Sequence, residues 1–172
     1  MANRDTEIAR PIRMILSDVD GVMTDGRIIL DNVGIESKEF HVRDGQGIKL
    51  WQQAGFAFGI LTSRTSQIVK LRAKELGITI VRQGFDEKLP AAREIFIAQG
   101  FDPSEVCYIG DDLPDIPVML EVGLSVAVND AVAEVKSAAK WTLNTPGGHG
   151  ALRELTERLL KAKGLWEDFI PR

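Results

Sequence analysis

The segment Asp18-Val19-Asp20-Gly21-Val22-Met23-Thr24 sets two carboxylates one residue apart, just after the apolar run 14–16. In an extended chain, residues i and i+2 point to the same side, so both carboxylates can face one site. Such a pair suits metal-assisted phosphoryl transfer. One carboxylate attacks phosphorus, and the other carries the proton of the leaving oxygen. Gly21 gives the backbone freedom to turn and open that site to solvent. Alone, the pattern is as consistent with an acidic turn that closes a strand.

Further reactive side chains stand at the ends of other apolar runs. Thr62-Ser63-Arg64 follows the run 57–61, and Gly110-Asp111-Asp112-Leu113-Pro114-Asp115 follows 106–109. Lys88 opens the helical stretch after 78–81. The Thr62 hydroxyl can donate to a phosphoryl oxygen, and Lys88 can neutralise a nucleophilic aspartate together with phosphate charge. Asp111, with Asp18 and a backbone carbonyl, can supply the few hard oxygens that Mg²⁺ takes from a protein. The cation would also lessen repulsion between an anionic nucleophile and an anionic phosphate. Read singly, Thr62 is a helix cap, Lys88 a solvated helix residue and Asp111-Asp112 a polar turn. Their joint position after successive strands argues for a site.

The elements that must position these groups alternate. Residues 13–17, 57–61, 78–81, 106–109 and 124–128 are short continuous apolar runs, as expected of parallel strands buried on both faces. Amphipathic stretches at 46–53, 65–76, 87–99, 131–139 and 151–163 read as helices, several of them stopped by glycine. This order predicts an α/β fold, a doubly wound parallel sheet with right-handed crossovers. In such sheets ligands bind beyond the carboxyl ends of the strands, where the reactive groups fall. One stretch breaks the alternation. Residues 27–30 and 38–42 are strand-like around the turn-forming 31–34, which predicts a projecting β-hairpin over about 26–43. A lone hairpin would cover Ile28, Leu30 and Phe40 poorly, which invites burial against another subunit.

Length and composition bound the reading. The 172 residues suit one domain over 11–172, with 1–10 as a flexible lead-in. A net charge of -4 leaves no basic footprint for nucleic acid. Cys107, the sole cysteine, lies in an apolar run and reads as a buried strand residue. The polar first residues and the lack of a long apolar run suggest the cytoplasm and no membrane span.

With these four motifs in order, the chain resembles the haloacid dehalogenase-superfamily phosphatases. The resemblance implies Asp18 as nucleophile and Asp20 as general acid/base. It also implies Thr62 and Lys88 as phosphate-binding groups, and Mg²⁺ held at Asp18, Asp20 and Asp111, with Asp115 as a further candidate. Asp18 to Gly26, Phe40 to Gly47, Gly110 to Met119, Gly123 to Val128 and Gly147-Gly148-His149-Gly150 are similar to the 3-deoxy-D-manno-octulosonate 8-phosphate phosphatases. That family has no inserted cap, and its hairpins build a tetramer in which neighbouring subunits close the active sites. The family's usual Thr-Gly-Arg is Thr62-Ser63-Arg64 here, and its usual Gly-Gly-Arg-Gly is Gly147-Gly148-His149-Gly150. These departures leave nine-carbon sugar-acid 9-phosphates as alternative substrates. Thr24, Ser63, Arg64, Arg43 and His149 are the candidate substrate contacts. Of these, Arg43 is equally consistent with a structural pair with Asp44, and His149 is expected to order over the substrate from a mobile segment. A receiver-like or scaffold domain without catalysis is the rival class. Asp20 argues against it, since an acid/base two residues from the nucleophile favours hydrolysis of an aspartyl-phosphate.

Overall fold

The computed structural model describes residues 2–171. Its centre is a six-stranded sheet of β1 (Met14–Ser17), β4 (Ala57–Thr62), β5 (Ile80–Gln83), β6 (Val106–Gly110), β7 (Leu124–Ala127) and β8 (Trp141–Thr142), in the order β5-β4-β1-β6-β7-β8. All pairings in this sheet are parallel. Every residue of β1, β6 and β7 is buried, which is why these strands appear in the sequence as unbroken apolar runs.

The helices α2 (Val42–Gln53), α3 (Gln67–Glu75), α4 (Lys88–Gln99), α5 (Ile116–Met119), α6 (Ala133–Ala138) and α7 (Ala151–Ala162) connect and cover the sheet. β1 lies between β4 and β6, so the chain leaves β1 towards one edge of the sheet and returns to build the other. That reversal opens a crevice beyond the carboxyl end of β1, where Asp18 begins the acidic loop.

Several expectations need correction. Residues 2–9, expected as a flexible lead-in, form a helix, α1 (Ala2–Ala9). Ala9 is fully buried, and Asp5 accepts hydrogen bonds from the Arg158 guanidinium on α7. The hairpin is present but short: β2 (Ile29–Leu30) pairs antiparallel with β3 (Glu36–Ser37). Asp31 closes its turn by accepting from the N–H groups of Val33 and Ile35. Its second arm does not run to residue 42. His41 caps α2 by accepting from the Arg43 N–H at 3.2 Å, so Val42 to Asp44 are helical. Phe40, expected to be uncovered, packs against the core under the Arg72 guanidinium. Ile28, Leu30, Val33 and Ile35 do stay exposed. The edge strand β8 is an addition to the five expected strands.

Candidate active site

Asp18, Asp20, Thr62, Ser63, Arg64, Lys88 and Asp111 meet in one cavity of about 300 Å³, together with Gly26, Asp112, Pro114 and Asp115. They arrive from the last residue of β4, from the loops after β1, β4 and β6, and from the first turn of α4. The sheet topology alone brings them together.

Asp18 is 7% exposed. Its Oδ1 accepts from the Val19 N–H at 2.7 Å, and its Oδ2 lies 2.9 Å from Lys88 Nζ. Lys88 is buried and also donates to Asp115 Oδ1 at 2.7 Å. An ammonium removed from water needs this kind of pairing, because its uncompensated burial costs several kcal/mol. Two carboxylates beside it hold the Lys88 ammonium above its ordinary range, against the opposing effect of burial.

Asp115 is fully buried and saturated with donors. Oδ1 accepts from Lys88 and from the Tyr108 hydroxyl at 2.6 Å, while Oδ2 accepts from the N–H groups of Asp111 and Asp112 at 2.9 and 3.2 Å. Two donors on each oxygen leave little lone-pair capacity for a cation. Asp115 is therefore better suited to holding the loop and Lys88 in place.

Asp111 is in the opposite condition. Its Oδ1 is buried with no hydrogen-bond partner. Burial, then Asp18, then Asp115 push its carboxyl up to about 8. Burial and the charge of Asp115 likewise raise Asp18, to about 6, against the pull of Lys88. Oxygens of Asp18, Asp111 and Asp115 all lie within 4.8 Å of one another. Crowded carboxylates with an orphaned oxygen fit a hard divalent cation, which would neutralise the repulsion and accept the free lone pairs. The Asp20 carboxylate stands outside that group of side-chain oxygens. It pairs with Lys38 and lies 3.8 Å from Arg64.

Gly21 has φ of +91°, and a Cβ there would meet Asp111 Oδ2 at 2.0 Å. The glycine thus permits both the turn and the close approach of the two loops. Gly147 and Gly148 serve a similar end: added Cβ atoms would meet Gly21 O at 1.8 Å and Asp25 N at 2.4 Å. The 147–150 segment is fastened, since Gly147 N–H donates to Asp130 and Gly148 N–H to Val22 O, both at 2.9 Å.

Three expected substrate contacts are elsewhere. Thr24 is 2% exposed, and its Oγ1 accepts from Gly21 and Gly26 N–H, which makes it a brace of the acidic loop. Arg43 and His149 line a different cavity, of about 640 Å³, between α1 and α7. His149 Nδ1 bonds Gly147 O at 2.7 Å, within its own loop. Although larger, that cavity lacks the carboxylate cluster and the buried lysine. Asp44 belongs to α2 and accepts from Arg153 N–H at the start of α7, so it ties two helices and does not pair with Arg43. Sequence reasoning missed Lys38, Glu36 and Tyr108. Lys38 had one available signal, a lysine inside a strand-like arm.

Residues 72–155 match the haloacid dehalogenase-like hydrolase family. The chain is 44% identical over 155 residues to a 3-deoxy-D-manno-octulosonate 8-phosphate phosphatase of Yersinia pestis, covering 90% of this chain and 83% of that protein. A solved phosphatase of the same name from Moraxella catarrhalis, in complex with magnesium, phosphate and KDO, superposes with a TM-score of 0.95 at 38% identity, over 97% of this chain and 96% of that one. A cobalt-bound phosphatase from Haemophilus influenzae superposes with a TM-score of 0.92 at 38% identity, over 95% and 96% of the two chains.

Proposed function

Because this chain belongs to the 3-deoxy-D-manno-octulosonate 8-phosphate phosphatase family of the haloacid dehalogenase-like hydrolases, we propose that it hydrolyses 3-deoxy-D-manno-octulosonate 8-phosphate to the free sugar acid and phosphate. The observation that carries the reading is the single cavity in which Asp18, Asp20, Thr62, Lys88 and Asp111 converge.

Asp18 is the nucleophile. Val19 N–H and Lys88 fix its carboxylate, and a carboxyl at about 6 is mainly ionised at neutral pH. It attacks phosphorus in line while Asp20 protonates the departing sugar oxygen. The product is an aspartyl-phosphate on Asp18. Asp20 then takes a proton from the water that hydrolyses it. Thr62 and Lys88 stabilise charge on the phosphoryl oxygens throughout. Asp18 and Asp111 would hold Mg²⁺, which supplies charge neutralisation between nucleophile and phosphate. Asp115 and Tyr108 keep Lys88 and the Asp111 loop in register.

Arg64 and Ser63, at the cavity wall, are the substrate contacts of this reading. The exposed apolar hairpin, with Ile28 61% and Leu30 59% exposed, supports assembly into a homotetramer whose neighbouring subunits close the sites. Among the described residues no helix is long and apolar enough to cross a membrane. Cys107 is buried, with its thiol pushed up by burial. A phosphorylated sugar substrate and a protected thiol support action in the cytoplasm.

The test is Mg²⁺-dependent phosphate release from the eight-carbon 8-phosphate beside nine-carbon sugar-acid 9-phosphates. A kcat/KM preference of about a hundredfold for the eight-carbon ester supports the assignment. The reverse preference transfers the enzyme to the nine-carbon acids and makes Ser63 the first residue to exchange. No release from any of them refutes the phosphatase reading.

A further inference from the structure

We propose that Lys38 is a positioning residue: from the hairpin it anchors one oxygen of Asp20, so that the other is presented as the proton carrier. The proposal rests on Asp20 being the acid/base of the reaction above.

Lys38 follows β3 by one residue, yet its side chain is only 2% exposed. A long cationic side chain on a projecting hairpin would ordinarily leave its charge in water. Here the ammonium turns inward and donates to Asp20 Oδ1, with Glu36 Oε1 at 3.4 Å. Glu36 accepts from Arg64 Nη2 at 2.7 Å, and Arg64 Nε lies 3.8 Å from Asp20 Oδ2. Two cations and two carboxylates thus alternate in a ring that joins the hairpin to the loops after β1 and β4.

The two oxygens of Asp20 are unequal as a result. Oδ1 is engaged by Lys38, whereas Oδ2 is buried without a hydrogen-bond partner. Rotation of the carboxylate would exchange them, and the ammonium opposes that rotation. In the first step the proton passes from Oδ2 to the bridging ester oxygen. The P–O bond breaks and its electron pair stays on the sugar oxygen. Proton transfer of this kind depends on hydrogen-bond reach, so a misaimed Oδ2 costs rate even with Asp20 intact. Lys38 does not line the cavity, so it acts through Asp20 and not on the phosphate. The seating of the hairpin thereby governs the aim of the acid.

The experiment compares the 8-phosphate, whose alkoxide leaves poorly, with p-nitrophenyl phosphate, whose leaving group needs no proton. Lys38→Met keeps the length of the stem. It is expected to lower kcat on the 8-phosphate about thirtyfold, a part of the 10²–10⁴ attributed to acid–base catalysis, with KM nearly unchanged. The loss on p-nitrophenyl phosphate is about tenfold smaller. Lys38→Gln retains a donor and recovers part of the loss. In an Asp20→Asn background, Lys38→Met adds no further loss on the 8-phosphate, because residues acting through one group are not additive. Equal losses on both esters, or full additivity with Asp20→Asn, overturn the positioning role while leaving the phosphatase reading intact. A wild-type protein inert towards both esters overturns the two together.

Discussion

Removing the divalent cation should make the protein's stability fall as pH rises, and the crowding around Asp111 sets the size of the effect. Its carboxyl is raised from 3.8 to about 8 by burial, Asp18 and Asp115. The metal-free folded chain therefore binds a proton at neutral pH that the unfolded chain does not. Stability is lost progressively as pH climbs from about 4 to about 8. Between about pH 6 and about pH 8 the Asp111 contribution is a loss of about 2 kcal/mol. Asp18, raised to about 6, adds a loss concentrated below that window. Mg²⁺ binds the ionised carboxylates and cancels the penalty. Its stabilising effect at fixed saturation should then exceed its effect at about pH 6 by about 4–8 °C in Tm at about pH 8, taking about 2–4 °C per kcal/mol for a chain of this size. Thermal unfolding in chelator and in saturating Mg²⁺ at the two pH values measures this directly. Asp111→Asn should remove most of the difference. A Mg²⁺ shift that is equal at both pH values, or larger at the lower one, would show that the Asp111 proton does not set the stability of the metal-free protein.

Other perturbations follow from the same contacts. Gly21→Ala puts a Cβ 2.0 Å from Asp111 Oδ2 at a φ of +91°, so it should raise the Mg²⁺ concentration for half-maximal activity at least about tenfold and cost about 1–2 kcal/mol of stability; metal titration of activity and denaturant unfolding check both. Lys88→Met strips the buried Asp18 and Asp115 of their shared cation and should destabilise the metal-free protein by about 3–5 kcal/mol, with saturating Mg²⁺ restoring part of it in calorimetry. Leu30→Asp, on the exposed face of the hairpin, should shift sedimentation towards smaller species while leaving the far-UV spectrum unchanged.

The sheet was legible because β1, β6 and β7 are buried on both faces and so carry unbroken apolar runs. The site was legible because the ends of β1, β4 and β6 are where this parallel sheet gathers its functional groups. What the sequence concealed depended on side-chain direction in irregular chain. Thr24 sits within the acidic motif yet turns back onto Gly21 and Gly26 N–H, a choice made by the turn. Arg43 precedes and His149 follows motif-like glycines, but α2 and the fastened 147–150 loop carry them to another cavity. The second hairpin arm reads as a strand through Val42, and His41 ends it early by capping a helix. β8 is two residues long at a sheet edge, too short to give a period. The pairing of Lys38 with Asp20 joins residues eighteen apart across a turn, and no local pattern encodes it.

The mechanism turns on a covalent phosphoryl group carried by Asp18. Acid-quenched protein taken during turnover of the 8-phosphate with Mg²⁺ can be mapped by mass spectrometry of its peptides. A phosphoryl adduct is expected on Asp18 and absent from Asp18→Asn, whose turnover is abolished. An adduct on another residue, or Mg²⁺-dependent turnover persisting in Asp18→Asn, would contradict it.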